Sequence, residues 1–148
     1  MKTGKKVTAE TLSLTDTDTL SYILKRKEPA YKNSLKYLNQ FGHFKISCPT
    51  YYECFRGYKA HGATTRLKIF QNLLQITDVI YPDKTILEKA GEIYGQLKNK
   101  GLPTGELDLL IGTTAIVHEL KIVTNNEKHY QNLKKYFDLE IENWMTEE

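Results

Sequence analysis

The sequence predicts an α/β fold with a central, mainly parallel sheet, and two observations indicate it. Along the chain, short segments in which apolar and polar residues alternate as in a strand are separated by longer segments in which apolar residues recur at helical spacing. The chain has 148 residues, 40% hydrophobic and 26% charged, which is ordinary for a globular domain. We therefore expect one domain over residues 11–145, preceded by a polar tail over residues 1–10.

The elements follow from periodicity and from the residues that begin and end them. Gly42 and Gly101 end amphipathic helices, Pro49 favours a helix start, and the segment from Asp108 is apolar enough to be a buried helix. The predicted strands are residues 11–15, 44–48, 75–80, 121–124 and a last one from 139, and the predicted helices are residues 19–27, 31–41, 50–58, 64–74, 83–100 and 108–120.

Composition excludes several classes of protein. The net charge of +3 is too small for a nucleic-acid coat, and no apolar run approaches the roughly 20 residues of a membrane span. The polar N-terminus lacks the pattern of a secretory signal, so we expect a cytoplasmic protein without a membrane partner. Cys48 and Cys54 match no metal or redox spacing and are expected to be small buried residues.

Acidic side chains follow the predicted strands or open the buried helix. Asp16 and Asp18 follow the first strand, Glu53 follows the second in the first turn of its helix, and Asp108 opens the apolar helix. Asn126 comes after the fourth strand. The carboxyl ends of parallel strands meet at one edge of the sheet, so we expect these side chains to lie close together.

Carboxylates gathered in this way indicate a site for a divalent cation. Mg²⁺ and Mn²⁺ prefer oxygen ligands and, with one or two carboxylates and a substrate phosphate, promote phosphodiester hydrolysis. The alternative is that each acid caps a helix. For Asp16 or Asp108 taken alone, capping explains the residue as well as metal binding does. As a group, Asp16, Glu53 and Asp108 favour the metal site, because Glu53 lies among aromatic residues and Asp108 precedes a strongly apolar helix.

The segments around these residues resemble the motifs of PIN-domain proteins, specifically the VapC toxins of type II toxin–antitoxin pairs. Residues 16–24 (DTDTLSYIL) resemble the opening D-T-N-x-L motif, and residues 52–58 (YECFRGY) resemble the E-x-x-x-G helix. Residues 103–115 (PTGELDLLIGTTA) are similar to a P-x-G-x-x-D-x-x-I-A-A-T-A pattern, and VTNN at 123–126 and LEIENW at 139–144 complete the set.

The resemblance implies a three-layer α/β/α fold with five strands and a Mg²⁺- or Mn²⁺-dependent endoribonuclease that leaves a 5′-phosphate and a 3′-hydroxyl. It also implies a cognate antitoxin partner, frequent homodimerisation, and structured RNA such as tRNA or rRNA as the substrate. On this basis Asp16, Glu53 and Asp108 are the expected metal ligands, with Asn126 as the fourth catalytic position.

Two residues depart from the family pattern. Asp18 replaces the usual Asn and is expected to form local hydrogen bonds as that Asn would, although a contact with metal or water is the alternative. Asn126 replaces the fourth acid and contributes an amide oxygen without charge. Thr17 and Thr124 are expected to orient ligands or water.

Other side chains have weaker functional interpretations. Arg56, one turn past Glu53, is a candidate contact for the RNA backbone. The aromatic run of the same helix (Tyr51, Tyr52, Phe55, Tyr58) is expected to be packing, with base stacking as the alternative. The four histidines (His43, His61, His118, His129) show no metal-ligand spacing and are expected at the surface.

Two rival functions remain open from the sequence. Because Asn126 lacks a charge, one alternative is a catalytically weak module that binds RNA or an antitoxin without cutting. The other rival is a metal-dependent DNA nuclease of the wider superfamily, against which the small size of the chain weighs.

Overall fold

The computed structural model describes residues 12–146 and contains five strands and seven α-helices in that range. The predicted tail over residues 1–10 lies outside the described residues. The elements are β1 (Ser13–Thr15), α1 (Thr17–Leu24), α2 (Ala30–Phe41), β2 (Phe44–Ser47), α3 (Cys48–Ala60), α4 (Thr64–Leu73), β3 (Thr77–Ile80), α5 (Lys84–Asn99), α6 (Glu106–Val117), β4 (Lys121–Val123), α7 (Gln131–Phe137) and β5 (Ile141–Glu142), with 3₁₀ turns at Leu74–Ile76 and Glu127–Tyr130.

All strand pairs are parallel, which confirms the predicted fold class. β4 pairs with β1 on one side and with β5 on the other, and β2 pairs with β3. β1 lies against β2, so the two hydrogen-bonded ladders are neighbours. The carboxyl ends of β1 and β4 therefore lie at the same edge, and the segments that follow them meet there.

The sheet is covered on both faces, because successive strand residues point in opposite directions. On β4, Ile122 packs with residues of α5, α6 and α7, whereas Val123 packs with α1 and α2 and with Trp144. A third cluster joins Ile46 of β2 to α1, α3 and α4. Both Ile122 and Val123 are fully buried. This arrangement gives the three layers that the sequence predicted.

Helix boundaries differ from the predictions at two positions that matter for the site. Helix α3 begins at Cys48, with Pro49 inside its first turn and Ser47 as its N-cap, so Glu53 lies in the second turn rather than the first. Helix α6 begins at Glu106, so Asp108 is its third residue and does not open it. Both corrections move the acid one turn or less along its helix.

The sequence analysis missed helix α7 and the 3₁₀ turn before it. The segment is short and rich in lysine, and it is held by Tyr130 and Leu133, which are almost completely buried. Gly112 of α6 permits this packing, because a Cβ there would overlap Leu133 and lie 3.5 Å from the ring of Tyr130. Close approach of α6 and α7 is what brings Tyr130 to the acidic edge of the sheet.

Candidate active site

Asp16 is the most deeply buried acid at the carboxyl edge of the sheet, with 5% of its surface exposed. Its backbone N–H continues the ladder to Val123 of β4 at 2.9 Å, and its side chain caps α1 by accepting the N–H of Thr17 at 2.7 Å. Asp16 is thus a helix cap and a site residue at once. Burial, as the larger cause, and the charge of Asp18 together raise the pKa of Asp16 to about 7.

Thr124 links the first strand to the fourth. Its hydroxyl donates to Asp16 Oδ2 at 3.0 Å, lies 3.4 Å from Asp18 Oδ1, and accepts the backbone N–H of Asn126 at 3.0 Å. Asp18 accepts the backbone N–H groups of Thr19 at 2.6 Å and Asn125 at 3.0 Å. These bonds hold the two aspartates next to the end of β4.

Tyr130 lies at the acidic edge between the segments that carry Asp16 and Asp108. Its ring is fully buried, its hydroxyl lies 3.4 Å from Asp108 Oδ1, and the same hydroxyl is near enough to Asp16 to lower the pKa of that carboxyl. Burial raises the pKa of Tyr130 far above its ordinary value, and the charges of Asp16 and Asp108 add to this effect. The hydroxyl therefore keeps its proton and donates a hydrogen bond to Asp108.

The other two acids lie at the rim of the site and have cationic or hydroxyl partners. His129 Nδ1 lies 3.1 Å from Asp108 Oδ2. Glu53 accepts the hydroxyl of Thr17 at 2.6 Å, and Arg56 Nη2 lies 4.0 Å from its other oxygen. Thr17 thereby connects Glu53 to the segment that carries Asp16.

The structure thus brings the predicted residues to one region, connected through Thr17, Thr124 and Tyr130, but not into a tight cluster. Within residues 12–146, no three His, Cys, Asp or Glu side chains are close enough together to hold one metal ion. Asn126 lies at the edge, where its backbone N–H binds Thr124 and its carbonyl accepts the N–H of His129 at 3.0 Å.

The donor chemistry of the site fits a hard divalent cation that keeps most of its water. Mg²⁺ is usually bound by one or two carboxylates together with water and substrate phosphate, so a three-carboxylate cage is not required. In the described part of the chain, no Lys, Arg or His forms an ion pair with Asp16, although Asp18 adds negative charge beside it. A cation would offset this charge, held directly by one or two of the carboxylates of Asp16, Asp108 and Glu53 and otherwise through water.

Sequence reasoning missed two residues of the site. Tyr130 was not considered, and His129 was expected only as a surface residue without a role. His129 is indeed exposed, but its ring contacts Asp108. The rule that selected the acids, position after the carboxyl end of a strand, also applies to the segment that leaves β4 and reaches Tyr130.

Comparison with known proteins supports the family resemblance. The PIN domain family model matches residues 13–135. The chain is 35% identical to ribonuclease VapC1 of Methanocaldococcus jannaschii over 99 residues, which are 67% of this chain and 71% of that protein. It is 30% identical to ribonuclease VapC2 of Rickettsia felis over 133 residues, or 87% of this chain and 95% of that protein.

A solved structure shows the same fold. VapBC2 of Rickettsia felis, determined bound to a DNA fragment from its promoter, superposes with a TM-score of 0.77 at 25% identity, and the match covers 90% of this chain and 98% of that one. Within residues 12–146, the present structure has no helix with the length and apolar character to span a membrane.

Proposed function

The chain belongs to the PIN-domain family, within its VapC group, and from this we propose that it is the ribonuclease toxin of a toxin–antitoxin pair, with a divalent cation, Mg²⁺ or Mn²⁺, as its cofactor. The observation that carries the proposal is the buried carboxylate of Asp16, which lies beside Asp18 at the carboxyl edge of a parallel sheet, near the Tyr130 hydroxyl that donates to Asp108. A carboxylate buried in this way is expected at a site that binds a divalent cation together with a substrate phosphate.

The residues proposed to hold the cation are Asp16 and Asp108, with Glu53 on the opposite side of Thr17. A divalent cation bound there would neutralise charge that develops on a phosphodiester and would lower the pKa of a water molecule. Asp18 and Asn126 belong to the outer part of the site in this proposal.

The remaining side chains position these acids. Thr124 fixes one oxygen of Asp16, and the N–H of Thr17 fixes the other, so the carboxylate cannot rotate freely. Tyr130 keeps its proton and orients Asp108 through Oδ1 from the buried side, while His129 contacts Oδ2 from the exposed side. Preorganised ligands of this kind reduce the cost of binding a cation or a phosphate.

The partners follow from the family. Because the Rickettsia felis neighbour is a VapBC toxin–antitoxin complex, we expect a cognate antitoxin to bind this chain, and we expect a homodimer. The proposed substrate is structured RNA such as tRNA or rRNA in the cytoplasm. Arg56, which is half exposed and adjacent to Glu53, supplies a positive charge for the RNA backbone.

The proposal is tested by cleavage of labelled RNA with the purified protein in Mg²⁺ and in EDTA. We expect Asp16→Asn, Glu53→Gln and Asp108→Asn each to lower the rate by about a hundredfold or more, since each removes one charge that would bind the cation. Asp83→Asn is a matched control, because Asp83 caps α5 by accepting the N–H of Ile86 at 2.9 Å and shares no contact with the acidic edge.

Three results would contradict the proposal. Cleavage that survives EDTA or all three substitutions would exclude the metal mechanism, and cleavage of single-stranded DNA in preference to RNA would indicate the DNA nuclease. An active site that binds RNA without cutting would match the weak module suggested by Asn126. Asn126→Asp should then restore cleavage if the missing charge is the cause.

A further inference from the structure

Helix α3 carries four aromatic residues, and the structure separates one of them from the other three. Tyr51, Phe55 and Tyr58 surround Phe70 of α4 or one another, with ring centroids 5.8 to 6.2 Å apart, so they belong to the core. Tyr52 is on the outer side and is 53% exposed. Packing therefore explains three of these aromatic residues and leaves Tyr52 unexplained.

Two cations share the outer face of α3 with Tyr52. Arg56 and Lys59 follow at i+4 and i+7, a spacing that places all three on one side of the helix. The Arg56 guanidinium carbon lies 5.1 Å from the centroid of the Tyr52 ring, and Lys59 Nζ lies 6.0 Å from that of Phe55. We call this surface, formed by Tyr52, Arg56 and Lys59, the α3 ridge.

The ridge borders the acidic site directly. Glu53 adjoins Tyr52 in the chain, its Oε2 lies 4.0 Å from Arg56 Nη2, and its Oε1 accepts the hydroxyl of Thr17 at 2.6 Å. Arg56 is thus held between an aromatic face and a carboxylate of the site. Because the Arg56 side chain is already restrained in the free protein, it loses less conformational entropy when a ligand binds.

We infer that the α3 ridge is a binding subsite for one unpaired nucleotide of the RNA, next to the position of cleavage. The base stacks on the free face of Tyr52, and Arg56 and Lys59 contact the phosphates on either side of that nucleotide. An exposed aromatic ring flanked by cations is the combination that proteins use to bind single-stranded nucleic acid. A base-paired nucleotide cannot offer its face to Tyr52, so the subsite selects single-stranded regions of a structured RNA.

This inference rests on the proposed function, and its test measures binding rather than cleavage. A short fluorescent single-stranded RNA is titrated against protein that carries Asp16→Asn, so that it is not cut, and the anisotropy gives Kd. We expect Tyr52→Ala to weaken binding about tenfold, which is a typical loss for one stacked base. Tyr52→Phe should stay within about twofold of the parent, because it keeps the ring.

The matched control is Tyr136→Ala. Tyr136 is 40% exposed and has Lys100 and Lys135 within 4.9 and 5.2 Å of its ring centroid, so it reproduces an exposed tyrosine with cations. It is at the far end of α7 from Tyr130, close to the amino end of β5 and away from the acids. Its removal should leave Kd unchanged.

The charged part of the ridge is tested by the dependence of Kd on salt. Arg56→Gln and Lys59→Gln should each reduce the slope of log Kd against log salt by about 0.7, the value for one phosphate of a single strand. Lys59 does not contact the acids, so its variant reports on the ridge without disturbing Glu53. Lys135→Gln, the control beside Tyr136, should leave the slope unchanged.

The possible outcomes separate this inference from the proposed function. Suppose that the wild-type protein cleaves RNA, but that adding Tyr52→Ala to the Asp16→Asn protein leaves oligonucleotide binding unchanged. The ridge is then not a nucleotide subsite, and the ribonuclease proposal stands. If RNA binding falls with Tyr52→Ala while the wild-type chain shows no cleavage, the subsite stands and the ribonuclease proposal fails. If the substitution weakens only the complex with the antitoxin, the ridge is a protein interface and the inference is overturned.

Discussion

The buried acid and the two rim acids of the site are held in opposite ways. Asp16 is almost completely buried, and its hydrogen-bond partners are the N–H of Thr17 and the hydroxyl of Thr124. Asp108 and Glu53 are partly exposed, and each contacts a basic side chain, His129 and Arg56 respectively. Of the three acids, Asp16 is therefore the one whose ionisation costs most without an added cation, as its pKa of about 7 indicates.

This difference indicates what each acid contributes. Hydrogen bonds orient Asp16 but do not neutralise it, and Asp18 increases the cost of its charge. The fold thus keeps at Asp16 a carboxylate that an added cation stabilises strongly. At the rim, a cation gains less because the acids already have partners and contact solvent.

The largest expected effect is on stability after Asp16→Asn in EDTA. The pKa of Asp16 is about 7 in the folded protein and near 3.8 when unfolded, so the folded state binds the proton more tightly between these values. The free energy of unfolding of the parent therefore falls as the pH rises from about 4 to 7. Asparagine does not titrate, so the free energy of unfolding of Asp16→Asn should exceed that of the parent by an amount that grows over this pH range, to about 4 kcal/mol at most.

Urea unfolding at pH 4.5 and pH 8 measures this gain. Asp108→Asn is the matched control at the rim, where the substitution also removes the contact with His129, and it should give no comparable gain at pH 8. An Asp16→Asn protein that is equally stable relative to the parent at both pH values would contradict the contrast between the buried and the rim acids.

Tyr130→Phe should have the next largest effect. In the absence of a cation, the substitution leaves Asp108 without the donor hydroxyl and removes a group that favours the ionised form of Asp16, and we expect a loss of about 1–2 kcal/mol. A bound cation would take over this role, so the stabilisation by Mg²⁺ should be larger in Tyr130→Phe than in the parent. Urea unfolding in EDTA and in Mg²⁺ gives both quantities.

Tyr37→Phe provides the control for Tyr130→Phe. Tyr37 is also buried, and its hydroxyl accepts the backbone N–H of Ser13 at 2.9 Å. Its loss should cost a similar free energy with no dependence on Mg²⁺. Equal stabilisation of the two variants by Mg²⁺ would show that Tyr130 has no special relation to the acids.

Asp18→Asn tests the smaller of the two causes that raise the pKa of Asp16. Removing the neighbouring charge should lower that pKa from about 7, but burial is the larger cause, so the pKa should remain well above 3.8. Carbon-13 NMR titration of the Asp16 carboxyl carbon measures it directly. A pKa that returns to the ordinary value would mean that charge, not burial, dominates at Asp16.

The smallest effect is expected for His129→Gln at the rim. Both His129 and Asp108 contact solvent, so the ion pair should contribute less than about 1 kcal/mol to folding. Urea unfolding at pH 6 checks this value. A loss as large as that of Tyr130→Phe would place His129 among the residues that hold the site together.

The sequence predicted the elements wherever a local pattern was strong. Alternating apolar residues identified β2, and Gly42 and Gly101 marked the ends of α2 and α5. Helix α7 was missed because its lysine-rich sequence has a weak apolar pattern, and it is defined by burial of Leu133 against α6. The start of α3 was placed too late, because proline in a first turn was treated as a boundary.

The site was predicted in part. Position after strand ends selected Asp16, Asp18 and Glu53, since topology brings such residues to one edge of a sheet, and position at the start of the buried helix selected Asp108. The same reasoning did not predict which side chains form hydrogen bonds or ion pairs with these acids. Tyr130 is 114 residues from Asp16 in the chain, and no local pattern connects a tyrosine with an aspartate at that separation.

The sequence by itself determined the fold class, the order of the strands and of every helix except α7, and which acids are candidates for the carboxyl edge, because periodicity and strand topology are local or follow from simple rules. Only the tertiary structure decided how each acid is compensated. Burial depends on the packing of all layers, so the tertiary structure alone shows that Asp16 is costly to ionise, that Tyr130 lies beside Asp108, and that Tyr52 faces solvent while its three aromatic neighbours do not.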